Sequence, residues 1–517
     1  MIYIFELGRC ILISFLFTLL FSCSLAPANH FKPKKSPENW MAPLPNSQAH
    51  SGRLSDLKNW WQQFNDPQLI KLIEAAEIAS PDLEVAKARV IESQAAVVNS
   101  QSALLPSVNV DASASRGKSG VIFSSGNTIG ANVNASWELD VWGKNKADKN
   151  KQEAILTGTK ALWHEARVIV AAETAKQYIN FRTCESLEII AKKNAESTVK
   201  IEQVSQLMVN AGMLASSNAS QAEGQAALAA NQLKKQSLQC TLMIKSLVAI
   251  TAIAEPTLRE MLTKTTGIVP MPSGIDVVAI PAQILAQRPD VLNAERNVAA
   301  ASFEINNSIS QRYPRLSLMG TLGLIYDSSA RGFIVNKRPS AIDGLTWSIG
   351  PLAVTLPIFD GGVRESNIVK AKAQYEAAKS TYESVARNAV REVEEALTVL
   401  YSTGLRELDV NKTANSFQLT YAGSQARYKA SLANLFELEE ARTASLKADI
   451  NVVALKNERV LAWISLYHAM GGGWTVAENT LPKDYAKLIL DQELTLAPQT
   501  ASAPPDAQDK QIVLPVE

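Results

Sequence analysis

Histidine and cysteine are scarce: there are four of each in 517 residues, and no two sit at the spacing that holds zinc. A metal centre is not expected. Neither is a resident cofactor, because the phosphate-binding loop, the dinucleotide glycine pattern, the nucleophile elbow and the His-Glu-x-x-His helix are all missing. His164, in Trp163-His164-Glu165, has no second histidine four residues on and reads as a helix-surface residue. No convergent acid, base or nucleophile set is present, so an enzyme is not expected. Charge of one sign is lacking too: Lys+Arg 51 against Asp+Glu 50 leaves +1. That balance offers no basic surface for nucleic acid. Long apolar runs are absent beyond residues 11–21, ILISFLFTLLF, about half of what a spanning helix needs. This run reads as the core of a signal peptide over residues 1–22. It ends in Leu20-Phe21-Ser22-Cys23, similar to a bacterial lipobox whose cysteine is thioether-lipidated. A plain secretory signal with an incidental cysteine is the alternative.

Proline is missing over two long stretches, between Pro106 and Pro256 and between Pro357 and Pro482, where Ala, Glu, Gln, Lys and Leu dominate. The chain is also too long for one ordinary core. The explanation is an internal repeat. Pro81-Asp82-Leu83 recurs as Pro289-Asp290-Val291 at a separation of about 208 residues, and Trp142-Gly143-Lys144 answers Gly361-Gly362-Val363 at about 219. Each copy reads helix, strand, strand, long helix, long helix. The first repeat is assigned to 59–256, with strands about 107–116 and 130–141 and helices about 143–211 and 213–254. The second occupies 281–474, with strands about 315–326 and 345–356 and helices about 362–430 and 433–470. Residues 23–58 and 257–280 read as linkers, and 475–517 as an extension whose tail is expected to be disordered.

A helix from Gly143 to Gly212 would be about 100 Å long, deeper than any globular core. Its return partner carries Ala215, Ala219, Ala222, Ala226, Ala229 and Leu233, the three-four alternation of a coiled-coil seam. The strands have one oily and one wet face. Ala131, Val133, Ala135, Trp137 and Leu139 alternate with Asn132, Asn134, Ser136 and Glu138. Leu316, Leu318, Leu322 and Leu324 alternate with Arg315, Ser317 and Thr321. The last strand changes phase at Gly350-Pro351, where a bulge is expected. Four strands of about ten residues suit a membrane barrel but cannot close one, and open edges do not survive in lipid. Several copies must share the barrel.

Three motifs now carry a resemblance: Trp60-Trp61-x-x-Phe64-x-Asp66-Pro67-x-Leu69, Gln287-Arg288-Pro289-Asp290-Val291 and Pro357-Ile358-Phe359-Asp360-Gly361-Gly362. Together they resemble the TolC-like outer membrane efflux channels, in their lipoprotein (NodT-type) branch. The resemblance implies a homotrimer with a twelve-stranded barrel among outer membrane lipids and an α-helical periplasmic tunnel. It implies a passive exit duct for small molecules in a tripartite pump, served by a periplasmic adaptor and an inner membrane pump of the resistance-nodulation-division type. Protein secretion through the same duct, or a non-conducting coiled-coil scaffold, are the alternatives. It also implies outer membrane localisation, with lipid attachment through Cys23.

By the same resemblance the hairpin tips, Gly212-Met213-Leu214 and Ser431-Leu432, meet the adaptor. Leu435, Glu439 and Arg442 share one helix face. That face either forms a periplasmic gate, with an apolar ring above Glu439–Arg442 pairs, or is a solvated face carrying an intrahelical salt bridge. Cys184 and Cys240 lie about 28 residues on either side of Gly212, level with each other on antiparallel helices. In an oxidising periplasm they form a disulfide or pack as two buried thiols.

Overall fold

The computed structural model describes residues 60–117, 126–272, 288–327, 342–430 and 432–472. Cys23, Ser431, both chain ends and the segment 273–287 lie outside these residues. A short 3-10 turn, Trp60–Phe64, leads into α1 (Pro67–Ala79) and α2 (Pro81–Ser102). Both helices start with proline in the first turn. Asp66 and Ser80 cap them by accepting the Gln68 and Leu83 amides. Strands β1 (Ser107–Gly117) and β2 (Gly126–Leu139) follow. The long α3 (Lys144–Asn210) then runs for 67 residues and returns as α4 (Ser216–Thr251). After α5 (Glu255–Leu262) the second repeat supplies α6 (Pro289–Ser310), β3 (Arg315–Asp327) and β4 (Ile342–Thr355). It ends with α7 (Val363–Lys429), again 67 residues, and α8 (Leu435–Ala469).

The strands form one antiparallel sheet in the order β1-β2-β3-β4. Register puts Asp111 opposite Asn132, Asn134 opposite Thr321 and Thr321 opposite Ser348. Polar side chains therefore gather on one face and Val110, Val133, Leu322 and Trp347 on the other. Leu318 pairs with Leu352 and Gly320 with Ile349, so Met319 opposes both Gly350 and Pro351. This bulge lets β4 keep its apolar residues on one side although its sequence changes phase.

The main core lies where helices of both repeats meet, with Tyr178, Ile179, Leu247, Leu397, Ile464 and Leu466 fully buried. Trp60 stacks on Trp463, ring centroids 4.4 Å apart, which ties the start of the described chain to α8. Several element bounds differ from the expected ones by a few residues: β2 opens at Gly126 and β4 at Ile342, earlier than 130 and 345. Strand β2 ends at Leu139 because Asp140 turns to cap α3, its carboxylate accepting the Asn145 and Lys146 amides at 3.0 and 2.8 Å. The inter-repeat linker is partly helical: α5 has Pro256 in its first turn, and Leu258 and Leu262, one turn apart, are both buried. His164 is also buried, edge-on to Trp163, and not on the surface.

Candidate functional site

The first hairpin turns at Gly212, whose φ of +71° suits glycine. The amides of Gly212 and Met213 reach back to the carbonyls of Val209 and Met208 at 2.9 and 2.8 Å, closing the helix end. In the second hairpin the Leu432 amide reaches Arg427 at 2.8 Å, the repeat equivalent of the Met213 to Met208 bond. The two tips thus share a closing bond although Ser431 stands where the first has glycine. Met213 and Leu432 are 75% and 71% exposed. Asn434 caps α8 by accepting the Glu437 amide at 2.8 Å, whereas Ala215 gives α4 no side-chain cap.

Above the second tip the structure brings Leu435, Glu439 and Arg442 together where α8 packs against α3. Leu435 is buried with Ile201, Ala222, Tyr428 and Leu438. Arg442 is buried as well; its Nε donates to Glu439 Oε2 at 2.9 Å and its Nη1 donates to Asn194 Oδ1 across the gap to α3. Glu439 Oε1 is buried without a partner.

Arg442 belongs to a longer seam between the hairpins. Tyr421 shares a hydrogen bond with Ser197 at 2.8 Å and Tyr428 with Ser205 at 3.3 Å, and Thr183 donates to Asn457 Oδ1 at 2.9 Å. The signal for this seam was present in the sequence. Tyr421 and Tyr428 are seven residues apart, and so on one face of α7.

Cys184 and Cys240 are bonded to each other, Cα atoms 5.5 Å apart, joining α3 to α4. Gln236 donates to the Cys184 carbonyl at 3.4 Å. Two buried arginines fix the junctions between elements. Arg182 donates to Glu185 at 2.7 Å, to the Leu262 carbonyl at 2.9 Å and to Tyr178 at 3.0 Å. Burial pushes the Tyr178 phenol up to about 12, against the pull of Arg182. Arg288 holds Asp290 at 2.9 and 2.7 Å, Glu392 at 2.9 Å and the Ala469 carbonyl at 2.7 Å. The nearby Glu165 carboxyl is raised to about 7 by burial, then by the Asp290 and Glu392 charges, with Arg288 opposing.

On the polar face of the sheet Asn134 donates to Asp111 at 2.6 Å and Lys144 pairs with Glu138 at 3.3 Å. Nothing among the described residues groups three metal-ligating side chains. No single described helix is long and apolar enough to cross a membrane.

The profile of the outer membrane efflux protein family matches residues 72–252 and 280–472. Nodulation protein T of Rhizobium leguminosarum bv. viciae is 25% identical over 470 residues, covering 90% of this chain and 94% of that protein. The pyoverdine export outer membrane protein OpmQ of Pseudomonas aeruginosa is 26% identical over 483 residues, covering 88% and 95%. Among solved structures, the CmeC outer membrane channel of Campylobacter jejuni superposes with a TM-score of 0.76 at 23% identity, over 91% of this chain and 98% of that one.

Proposed function

We propose that this chain, which belongs to the outer membrane efflux protein family, works as one of three identical copies forming the exit duct of a tripartite efflux pump. It is the outer membrane channel component of an efflux system, extending into the periplasm. The observation that carries the duct reading is the sheet. Its four strands present a polar face and an apolar face, and among the described residues β1 and β4 have no partner on their outer edges. Lipid tolerates such strands only in a closed barrel. Other copies of the chain are the source of strands that makes closure possible. With the polar face inward, the duct carries water and solutes without a binding step.

In this reading the exposed Met213 and Leu432 dock on a periplasmic adaptor, and energy comes from an inner membrane pump behind it. Cys23 carries the lipid that anchors the chain. The seam through Tyr421, Tyr428 and Arg442 is the latch of the periplasmic end. Leu435, Glu439 and Arg442 hold the second hairpin against α3, so that opening requires their bonds to part. Single-channel recording of the purified protein in a planar bilayer tests the conduit. Discrete conductance steps are expected; a protein that assembles but passes no current is a scaffold, and the reading fails.

A further inference from the structure

One pair of repeat equivalents differs in charge where the surrounding helices are alike. On α3, Lys151 is neutralised twice, by Asp148 at 3.1 Å and by Glu304 of α6 at 2.9 Å. The residues 219 further on are Lys370 and Asn367 of α7. The lysine is kept, and the carboxylate three residues before it has become an amide. Lys370 is exposed, and among the described residues it has neither an ion pair nor a hydrogen bond.

Both lysines line one cavity of about 630 Å3, where α6 packs on both α3 and α7. Glu304 of α6 and Asn367 and Gln374 of α7 belong to its wall. Asn367 and Gln374 lie three and four residues from Lys370, one turn on either side of it. An ammonium flanked by amide N–H groups suits an oxyanion. The carboxylate of Glu304 is already taken by Lys151, so it leaves Lys370 uncompensated.

The cavity lies on the wet side of the wall. Lys144, at the start of α3, pairs at 3.3 Å with Glu138 on the polar face of β2. Lys151 is seven residues on, two turns along the same side of the helix. With the polar face of the sheet inward, the cavity faces the lumen in the neck just beneath the barrel. This inference rests on the duct reading and refines it at that one place.

We propose that Lys370, with Asn367 and Gln374, is a resting site for anionic solutes in the neck of the duct, taking a carboxylate or phosphate group of the passing molecule. The contact is one water-exposed cation per copy, so it is weak and screened by salt. It draws anions in without stopping them. Solutes that carry such groups are favoured over cationic ones of the same size.

Bilayer recording of the full-length protein at low salt, with citrate, pyrophosphate or the polyamine spermidine in both chambers, tests this. Citrate or pyrophosphate reduces the mean current of the natural protein, and block by one alone names the group that the site takes; spermidine has little effect. Lys370→Gln raises the half-blocking anion concentration about tenfold. Lys370→Arg, which keeps the charge, preserves the block, and so does Lys372→Gln, on the opposite side of α7. Lys370→Glu exchanges anion block for block by spermidine. A conducting protein that neither anion blocks, or whose block is the same in Lys370→Gln, overturns the site and leaves the duct standing. Equal loss of block in Lys372→Gln also overturns it, because the effect then belongs to net charge and not to this cavity. A protein that assembles but passes no current removes the duct, and the inference with it.

Discussion

At the residue scale, the side chains with the largest effects are charges that the fold has taken out of water. Glu165 shares its surroundings with Asp290 on α6, Glu392 on α7 and Arg288, so one cation faces three carboxyls. Its carboxyl titrates at about 7 in the fold and near 4.5 when unfolded. The folded state therefore binds the proton more tightly. Stability from this group is greatest below about pH 4.5, falls as pH rises through about 7, and is flat beyond. His468, whose burial lowers its pKa, works in the other direction, losing stability as pH falls below 6.5. Comparing Glu165→Gln with the natural protein isolates the carboxyl. The variant should be more stable by on the order of 2 kcal/mol at about pH 8 and no more stable at about pH 4, read from thermal melts in detergent. Arg288→Met is expected to cost about 3–5 kcal/mol, because it strands Asp290 and Glu392. At Cys184 and Cys240, unreduced protein should offer no alkylatable thiol from this pair until reductant is added. Replacing both by serine should cost about 2–4 kcal/mol. Two thiols reacting in unreduced, denatured protein would mean that the bridge is not formed.

At the element scale, the hairpins carry one large core where the two repeats meet and a small separate one near their tips. The ties from α3 to Tyr421 and Tyr428, which form the proposed latch, are each worth about 1 kcal/mol, small enough to part when a partner pulls. Tyr421→Phe combined with Tyr428→Phe should leave assembly intact and raise the open fraction or the conductance in bilayer recordings; unchanged traces would remove the latch. Met213→Asp with Leu432→Asp should do the reverse, leaving conductance alone and abolishing co-purification with the adaptor. Much of this level was legible beforehand. Proline-free stretches and alanine at three-four spacing marked the long helices, and strict alternation marked the strands to within a few residues. What pattern cannot supply is which neighbour a face turns towards. The spacing of Leu435, Glu439 and Arg442 put them on one side of α8, but only packing shows that this side meets Ile201 and Asn194 on α3. Helix α5 was missed because eight residues are too few for periodicity to register.

At the scale of the whole molecule, everything depends on which face of the sheet meets lipid. Leu322 stands mid-strand on the apolar face and Thr321 beside it on the polar one, both paired across β2, β3 and β4. Alternation ensures that adjacent residues lie in opposite solvents once a barrel closes. An arginine at Leu322 would sit near the bilayer midplane at a cost of about 2–4 kcal/mol per chain. Symmetry repeats that cost in every copy, so the expected result is loss of heat-resistant assembled protein and of outer membrane insertion. An arginine at Thr321 faces water and costs little. It adds a ring of positive charge to the duct, so assembly should persist while ion preference moves towards anions, most clearly at low salt where the charges are least screened. The two variants differ by one position, share strand, length and charge, and so control for each other. If Thr321→Arg blocks assembly and Leu322→Arg does not, the sheet is inside out relative to this reading. If both assemble equally well, the strands do not meet lipid, and the duct is not built as argued.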